Sequence, residues 1–339
     1  MAFVPSCKLN LLSTERVCLA MTKLISVVIP VNGDAPFLSQ AITSVERQTF
    51  RDFELRIILD RPSDKTRKLV DSLRKNDFEI QVMESDKPGI SAALNHGIST
   101  ANSKYIARLD ADDLMQPKRL EIQALALENN PNLACLGSQV EYIDEQGKTT
   151  GRSNLPTHAW QVKTMMPTLN CLLHPSVMIR RVALVSAGGY RAYLDGVEDY
   201  NLWLRLLRFG SLENRKEYLT KYRRHPAQVS KANSSIYPWL DSLARIDAWG
   251  YQGLKGPKVW SVYFKSLHKN ELEPLVRKLE SDATSPWKRN RLQSSRNLSL
   301  YFVGPREERF GNIMKALVRT PFKTLWLAVL VLVQKLKSL

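Results

Sequence analysis

Short apolar runs alternate with segments of helical periodicity along the chain from Lys23 to Ser138. The apolar runs predict strands at residues 24–30, 53–59, 79–83, 104–109 and 133–138. Between them, apolar residues recur every three or four positions, which predicts helices near 37–45, 64–74, 91–101 and 117–130. Because strands that alternate with helices pair through parallel crossover units, the pattern predicts an α/β fold with a mostly parallel sheet flanked by helices.

Acidic residues follow two of these predicted strands. Asp60 comes directly after the second strand, and Asp110, Asp112 and Asp113 follow the fourth in "YIARLDADD". In open α/β sheets, ligands bind beyond the carboxyl ends of the strands. We therefore expect the topology to bring both acidic segments to one rim of the sheet.

The three aspartates of "DADD" have two interpretations on spacing alone. In the first, they present oxygens to one hard cation, Mg²⁺ or Mn²⁺, which commonly also binds substrate phosphates. In the second, the segment is a loop in which Asp112 or Asp113 caps the helix that begins near Pro117. Crowding such acids without a cation is costly, since two like charges about 4 Å apart repel by about 4 kcal/mol at an effective dielectric constant near 20.

The cysteines and the charge distribution exclude several classes of protein. The four cysteines are Cys7, Cys18, Cys135 and Cys171. They lie far apart, which argues against a zinc site or a disulfide framework and suits a reducing cytoplasm. The formal net charge is +16, and residues 286–339 hold eleven Lys and Arg against two acids, a balance of +9. Since no segment resembles a nucleic-acid module, we expect this basic region to contact an anionic membrane and not nucleic acid.

The basic region also contains an uncharged apolar run, "TLWLAVLVLV" at 324–333. A bilayer span needs roughly 20 residues, so this run is too short to cross a membrane. One interpretation is an anchor that lies in the interface, with Trp326 at the headgroups and flanking lysines on phosphates. The other is a last helix that packs on the domain.

Four regions are predicted from these patterns. Residues 1–22 are expected to be a disordered extension and not a signal peptide, because Lys8, Glu15 and Arg16 interrupt the apolar stretch. Residues 23–232 form the α/β domain, 233–317 a helical basic region, and 318–339 the apolar tail.

Six segments, in order, resemble the motifs of family 2 glycosyltransferases with the GT-A fold. They are "ISVVIPVNGDAPFLSQAITSVERQTFRDFELRIILD", "GISAALNHGISTANSKYIARLDADD", "HPSVMIRR", "GGY", "VEDYNLWLRL" and "YRRHPAQVS". The resemblance covers roughly residues 24–232. It implies a Rossmann-like GT-A domain that binds a nucleotide-sugar donor and uses Mn²⁺ or Mg²⁺ as its cofactor.

The resemblance also implies which residues bind the donor and the metal. The donor is expected to contact Pro30, Val31, Asp60, Lys87, Asn95 and Asp110. Asp60 would accept a hydrogen bond from the base, and Asp112 and His225 would hold the metal. On residue type alone, Asp60 is more typical of a turn before Pro62, and His225 of an exposed or structural histidine.

The resemblance of the later segments implies which residues bind the acceptor. In the family, the aspartate of the "ED" pair deprotonates the acceptor hydroxyl, which makes Asp199 the expected catalytic base. The expected acceptor contacts are His174, Gly189, Tyr190 and Glu198. Without the resemblance, Glu198 and Asp199 are ordinary acids of a first helical turn, where the helix dipole favours them.

Two positions depart from the family's pattern. Arg61 in "DRPS" stands where an acid is common, and Leu94 stands where an arginine is frequent. Lys87 is expected to supply the missing charge near the diphosphate. Arg223 and Arg224 could offset charge on the leaving group, since guanidinium groups match phosphate oxygens.

The function implied is an inverting transfer of one sugar, with UDP as the expected nucleotide, to a glycan or lipid-linked acceptor in surface polysaccharide synthesis. The chain has no "RW" dipeptide and no span-length segment, unlike the family's processive synthases. The expected place is the cytoplasm, at the inner face of the cell membrane. Two alternatives stay open: a sugar-nucleotide nucleotidyltransferase, and a non-enzymatic polyanion-binding protein whose acids are caps.

Overall fold

The structure, a computed structural model, describes residues 23–73, 79–167, 169–226 and 237–248. In these residues one sheet contains β1 Ile25–Gly33, β2 Phe53–Pro62, β3 Ile80–Glu84, β4 Tyr105–Arg108, β5 Leu114–Met115, β6 Leu133–Ile143, β7 Thr149–Arg152, β8 Met178–Arg180 and β9 Ser211–Arg223. The helices are α1 Leu38–Glu46, α2 Asp64–Leu73, α3 Ile90–Ser99, α4 Arg119–Asn129, α5 Ala159–Met165, α6 Arg181–Ser186, α7 Glu198–Leu206 and α8 Tyr237–Ala248.

The strand order is β3-β2-β1-β4-β8-β6-β9-β5, with β7 paired to β6. Strands β1 to β4 are parallel, and β8 runs antiparallel to both of its neighbours, β4 and β6. As a result β6 points the same way as β4, and β9 is parallel to β6. Six strands of the described sheet therefore share one direction, which confirms the predicted α/β fold with a mostly parallel sheet.

The sheet is buried on both faces. In β1, Val27 and Ile29 belong to the core cluster that includes Ile42 of α1. The intervening Val28 belongs to the opposite cluster, which includes Trp203 of α7. Successive strand residues point to opposite faces, so a strand covered on both sides is apolar at nearly every position. This burial explains why the continuous apolar runs of the sequence became the central strands.

Helix α8 lies beyond residue 232, in the region predicted to be helical, and it packs on α7. Asn201 of α7 donates to the Ala244 carbonyl at 3.0 Å and to Asp247 at 2.8 Å. Helix α8 therefore belongs to the same packed unit as α7. Apart from α8, the predicted extension at 1–22, the basic region and the apolar tail lie outside the described residues. Among the described helices, none has the length and apolarity that a membrane crossing requires.

Candidate active site

Both predicted acidic segments lie at one rim of the sheet. Asn32 near the end of β1 is in register with Asp60 of β2, and Val28 is in register with Arg108 at the end of β4. Because β1, β2 and β4 are parallel, the loop that follows Arg108 begins on the same rim as Asp60. This rim is where open α/β sheets bind their ligands.

Asp110, Asp112 and Asp113 form a carboxylate cluster whose oxygens lie within 4.8 Å of one another. Asp110 forms an ion pair with the buried Arg108. Asp113 is 1% exposed, and its Oδ1 accepts a hydrogen bond of 2.7 Å from the Arg223 backbone N–H. Its Oδ2 has no hydrogen-bond partner among the described residues. A buried carboxylate oxygen without a donor beside two further acids fits a hard cation such as Mg²⁺ or Mn²⁺.

The pKa values of the carboxylate cluster also favour a bound cation. Burial raises the pKa of Asp113 well above its ordinary value, and the charges of Asp110 and Asp112 raise it further. Burial also raises the pKa of Asp110, with Arg108 opposing the rise and Asp112 adding to it. The raised pKa values show that the ionised acids are destabilised by burial and by one another, and a bound cation would relieve this.

His225 lies against the carboxylate cluster, two residues after the end of β9. Its Nε2 is 2.9 Å from the Asp112 Oδ2, and its ring centroid is 5.7 Å from that of Phe37. The two residues predicted as metal ligands are therefore neighbours, although 113 positions separate them in sequence. An imidazole nitrogen beside carboxylate oxygens is a ligand set that manganese accepts.

Arg223 holds the acidic loop in place. Its guanidinium donates to the carbonyls of Asp112, Asp144 and Glu145 at 2.8–3.0 Å, and it lies over the Phe37 ring. A guanidinium directed at three carbonyls and buried in the protein is not positioned to meet a phosphate. This corrects the expectation that Arg223 offsets leaving-group charge.

Arg224, for which the same role was expected, is exposed, and its guanidinium lies 3.5 Å from the centre of the Tyr142 ring. A cation over an aromatic face is an attractive contact. Its availability to a phosphate stays a prediction.

A second buried arginine fixes the strand ends beneath the carboxylate cluster. Arg119 at the start of α4 donates to the carbonyls of Arg108, Pro175 and Val177 at 2.6–3.1 Å. It thereby joins the end of β4 to the turn before β8. The sequence did not predict this role, because an arginine near the start of a helix does not reveal which carbonyls will surround it.

Asp60 is only 4% exposed and is surrounded by donors. Its Oδ2 accepts hydrogen bonds from Asn32 at 2.7 Å and from the Gly89 backbone at 2.9 Å, and its Oδ1 accepts one from Arg61 Nε at 3.0 Å. Burial acts to raise the pKa of Asp60, but the bonds from Arg61, Gly89 and Asn32 outweigh it, so the pKa lies below its ordinary value. Asp60 is therefore an ionised acceptor at neutral pH.

The other residues predicted to contact the donor have different surroundings. Pro30 is half-buried, whereas the Val31 side chain is buried in the core, so that only its backbone can face a ligand. Lys87 is exposed in the loop between β3 and α3. The Asn95 amide exchanges two hydrogen bonds with the Tyr190 backbone, at 2.7 and 2.8 Å. Asn95 thus orients the "GGY" loop, and its contact with a donor stays a prediction.

The "GGY" loop approaches α3 so closely that it requires glycine. Gly189 has φ +61°, and a Cβ there would lie 2.6 Å from the Asn95 Oδ1. Arg205 of α7 donates to the Gly189 carbonyl at 2.7 Å. The "GGY" loop therefore contacts Asn95 of α3 and Arg205 of α7, and these contacts fix its position.

His174, Tyr190 and Glu198 form a buried polar group. The His174 Nε2 is 2.8 Å from the Tyr190 hydroxyl, and its Nδ1 is 3.7 Å from the Glu198 Oε1. Burial lowers the pKa of His174 well below its ordinary value and raises that of Tyr190, so both are neutral at pH 7. Burial also raises the pKa of Glu198 to about 8, with the charges of Asp199 and Asp195 adding to the rise.

Asp199 is the second residue of α7 and follows Glu198 of this buried group. Its carboxylate accepts hydrogen bonds from the Tyr200 backbone at 2.6 Å and from Asn170 Nδ2 at 3.0 Å. Burial raises its pKa, and the charges of Arg108 and Asp110 also act on it. The sequence did not single out Asn170, because it lies outside the pattern that identifies the "ED" pair.

Stability should depend on pH through Glu198. The unfolded chain loses this proton near its ordinary pKa of about 4.3, whereas the folded chain keeps it to about pH 8. The stabilisation is therefore complete below pH ~4.3 and is lost as the pH rises towards 8, by at most about 1.4 kcal/mol per pH unit. We expect Glu198→Gln to flatten the decline of unfolding free energy between about pH 5.5 and 7.5 in urea titrations.

The matched control is Glu145→Gln, since that side chain is exposed. The control should show the same decline with pH as the unmodified protein. An unchanged decline in Glu198→Gln would contradict the assignment of a neutral carboxyl.

The relatives described next are all named as glycosyltransferases. The profile of Glycosyl transferase family 2 matches residues 26–186. An uncharacterized glycosyltransferase of Methanocaldococcus jannaschii is 32% identical over 208 residues, which is 59% of this chain and 70% of that protein. The amylovoran biosynthesis glycosyltransferase AmsE of Erwinia amylovora is 31% identical over 59% of this chain and 75% of its own length. The O-antigen biosynthesis glycosyltransferase WbnJ of Escherichia coli is 29% identical over 65% and 87%.

A solved structure shares the fold. The crystal structure of S. aureus TarS 1–349 in complex with UDP-GlcNAc superposes with a TM-score of 0.56 and 15% identity, covering 89% of this chain and 83% of that one. At this identity the likeness extends to the fold alone.

Proposed function

The chain belongs to glycosyl transferase family 2 and is a glycosyltransferase with a GT-A fold, and from this premise we propose which sugar transfer it performs. The donor is a uridine-diphosphate sugar, and the acceptor is a hydroxyl of a glycan or lipid-linked glycan in surface polysaccharide synthesis. The TarS complex with UDP-GlcNAc supports the donor class. The relatives named for O-antigen and amylovoran biosynthesis support the acceptor class. Family membership disfavours the nucleotidyltransferase and polyanion-binding alternatives.

One observation carries the proposal. The carboxylate cluster, with His225 2.9 Å from Asp112, follows β4 on the rim that also holds Asp60 near the end of β2. A nucleotide-sugar donor needs a base contact, a diphosphate contact and a nearby proton acceptor for the incoming hydroxyl. The rim offers candidates for the first two, and Asp199 of α7 is the proton acceptor that we propose.

In the proposed mechanism, Asp112 and His225 would hold Mn²⁺ or Mg²⁺, and such an ion would supply positive charge for the phosphates of the donor. Asp110, oriented by its ion pair with Arg108, contacts the ribose or the sugar of the donor. Asp199, held by Asn170 and the Tyr200 backbone, takes the proton of the acceptor hydroxyl as that oxygen attacks the anomeric carbon. Attack from the face opposite the leaving group inverts the anomeric configuration, and no bond to the enzyme forms.

Gly189, Tyr190, His174 and Glu198 line the acceptor side in this proposal. Because His174, Tyr190 and Glu198 are buried and neutral, they would position the acceptor by hydrogen bonds and not by charge. Asp199 is then the ionisable acid of α7 that faces the reacting hydroxyl.

The test of the function is donor hydrolysis by the full chain. UDP-, GDP- and dTDP-sugars are incubated with the protein and Mn²⁺, with and without a chelator, and nucleotide release is measured. We expect turnover of a UDP-sugar that stops on chelation. No release from any donor, or full release with the chelator present, would refute the proposal.

We further propose that the basic C-terminal region holds the enzyme at the inner face of the cell membrane, where lipid-linked acceptors lie. The balance of +9 over residues 286–339 and the apolar run at 324–333 support this. Deleting residues 318–339 should reduce cosedimentation with vesicles that contain anionic lipid by about tenfold. A truncated protein that sediments as fully as the complete chain would contradict the anchor.

A further inference from the structure

A cleft of about 420 Å³ lies between α1 and the short strand β5, and we call it the α1 cleft. Strand β5 is last in the strand order, and its Leu114 pairs with Lys221 of β9. Ser39, Thr43 and Arg47 follow one another at intervals of four along α1 and its C-cap, so they lie on one face of the helix. Small-molecule sites commonly have volumes of roughly 300–1,000 Å³, so the α1 cleft is large enough for a ligand.

The charged residues that line the α1 cleft are all basic. They are Arg47, which is exposed, and Lys221, which is half-buried. Among the residues that the structure describes, neither side chain forms an ion pair or a hydrogen bond. Other basic side chains are paired, such as Arg67 with Glu84. A cleft lined by charge of one sign concentrates ions of the opposite sign, so the α1 cleft favours an anionic ligand.

Uncharged hydrogen-bonding groups line much of the rest of the α1 cleft. Within the described part of the chain, the hydroxyls of Ser39 and Thr43 and the side-chain amide of Gln116 have no hydrogen-bond partner. The Gln40 Oε1 accepts a hydrogen bond of 2.8 Å from Arg223, which leaves the two amide N–H donors of Gln40. Hydroxyl and amide groups both donate and accept, as the hydroxyls of a sugar ring do. The α1 cleft therefore combines two cations with groups that suit a sugar.

The α1 cleft is separate from the residues assigned to the active site but is connected to them. Gln40 bonds Arg223, whose Nε donates to the Asp112 carbonyl at 2.8 Å. Leu114, which lines the cleft, directly follows Asp113 of the carboxylate cluster. A ligand in the α1 cleft would contact the supports of the carboxylate cluster without occupying the donor site.

We propose that the α1 cleft is a second binding site, outside the active site, for an anionic sugar that carries a phosphate or a carboxylate. Arg47 and Lys221 bind the anionic group, and Ser39, Thr43 and Gln116 bind hydroxyls of the sugar ring. A free sugar phosphate and an acidic residue of a glycan both present this chemistry. The proposal goes beyond the proposed function, since binding at the α1 cleft requires no sugar transfer.

The experiment measures sugar binding to the full chain by calorimetry. Glucose 1-phosphate and trigalacturonate are titrated beside their neutral counterparts, glucose and maltotriose, and beside inorganic phosphate. Excess UDP competes at the donor site, and a chelator removes metal that would hold a phosphate. The test variant combines Arg47→Gln with Lys221→Gln. The control combines Lys65→Gln with Lys68→Gln, which removes the same charge from exposed positions of α2.

We expect at least one of the anionic sugars to bind about tenfold more tightly than its neutral counterpart and than inorganic phosphate. The test variant should lose about tenfold or more of that affinity, and the control should keep it. Binding of glucose 1-phosphate alone identifies a free sugar phosphate as the ligand, and binding of trigalacturonate alone identifies an acidic glycan. Thermal unfolding of each form is recorded. Should the double variant fail to fold, Arg47→Gln alone, at an exposed position, should show a loss of about threefold or more.

Four outcomes would overturn the inference. They are no binding of either anionic sugar at about 10 mM, unchanged affinity in the test variant, an equal loss in the control, and equal affinity for inorganic phosphate and glucose 1-phosphate. The last outcome would mean that the α1 cleft selects charge and not a sugar. Failure of the proposed function looks different, because it would appear in donor hydrolysis and leave these titrations unchanged.

Discussion

Replacing Asp112 with asparagine should lower kcat/KM for sugar transfer by about a thousandfold. The cluster of Asp110, Asp112 and Asp113 has a buried oxygen without a described donor, and His225 lies 2.9 Å from Asp112. Metal stabilisation of a departing diphosphate contributes several kcal/mol, and each 1.4 kcal/mol corresponds to about tenfold in rate. An amide keeps the shape of the carboxylate but removes the negative charge that attracts the cation.

The measurement pairs steady-state kinetics with Mn²⁺ binding, followed by the electron paramagnetic resonance of the free ion. Asp112→Asn should weaken Mn²⁺ binding as well as activity, and saturating Mn²⁺ should restore part of the rate. Asp52→Asn is the control, because Asp52 is exposed at the start of β2, at the opposite end of the sheet. Full activity in Asp112→Asn, or lost activity with Mn²⁺ binding intact, would remove Asp112 as a metal ligand.

The central strands were predictable because burial on both faces leaves a direct trace in the sequence. Predicted strands at 24–30 and 53–59 correspond to Ile25–Gly33 and Phe53–Pro62, with small differences at their ends. Strand β9 had no such trace. Its sequence, "SLENRKEYLTKYR", is rich in charged residues, and only five of its thirteen positions are buried. Its pairing with β6 and β5 makes it a strand.

The candidate site was predictable where a motif carries chemistry and unpredictable where the backbone supplies the partners. Asp112 and His225 were expected to act together, and the structure holds them 2.9 Å apart. Arg119, in contrast, donates hydrogen bonds to the carbonyls of Arg108 and Val177. Backbone carbonyls are common to all residues, so the sequence does not predict which of them an arginine will contact. Asn95 illustrates both cases. The motif predicted that it contacts the donor, whereas its hydrogen bonds to the Tyr190 backbone could not be predicted from the sequence.

The second large effect is expected for Asp199→Asn, which should lower kcat for transfer by about 10³-fold while leaving donor affinity unchanged. General-base catalysis contributes about 10²–10⁴-fold, and an amide cannot take up the acceptor proton. The donor contacts proposed here lie on β1, β2, α3 and the loops after β3 and β4, whereas Asp199 is the second residue of α7. Calorimetric titration of a UDP-sugar and initial rates of transfer separate the two effects.

Asn170→Ala gives the graded comparison for this prediction. It removes the 3.0 Å hydrogen bond to Asp199 but keeps the carboxylate, so a loss of about tenfold is expected. If Asp199 were only an acid that stabilises the start of α7, Asp199→Asn would lower the Tm and retain most of its transfer activity. Equal losses in both variants would instead assign the effect to the position of α7. A thousandfold loss at unchanged Tm and donor affinity therefore distinguishes a base from a structural acid.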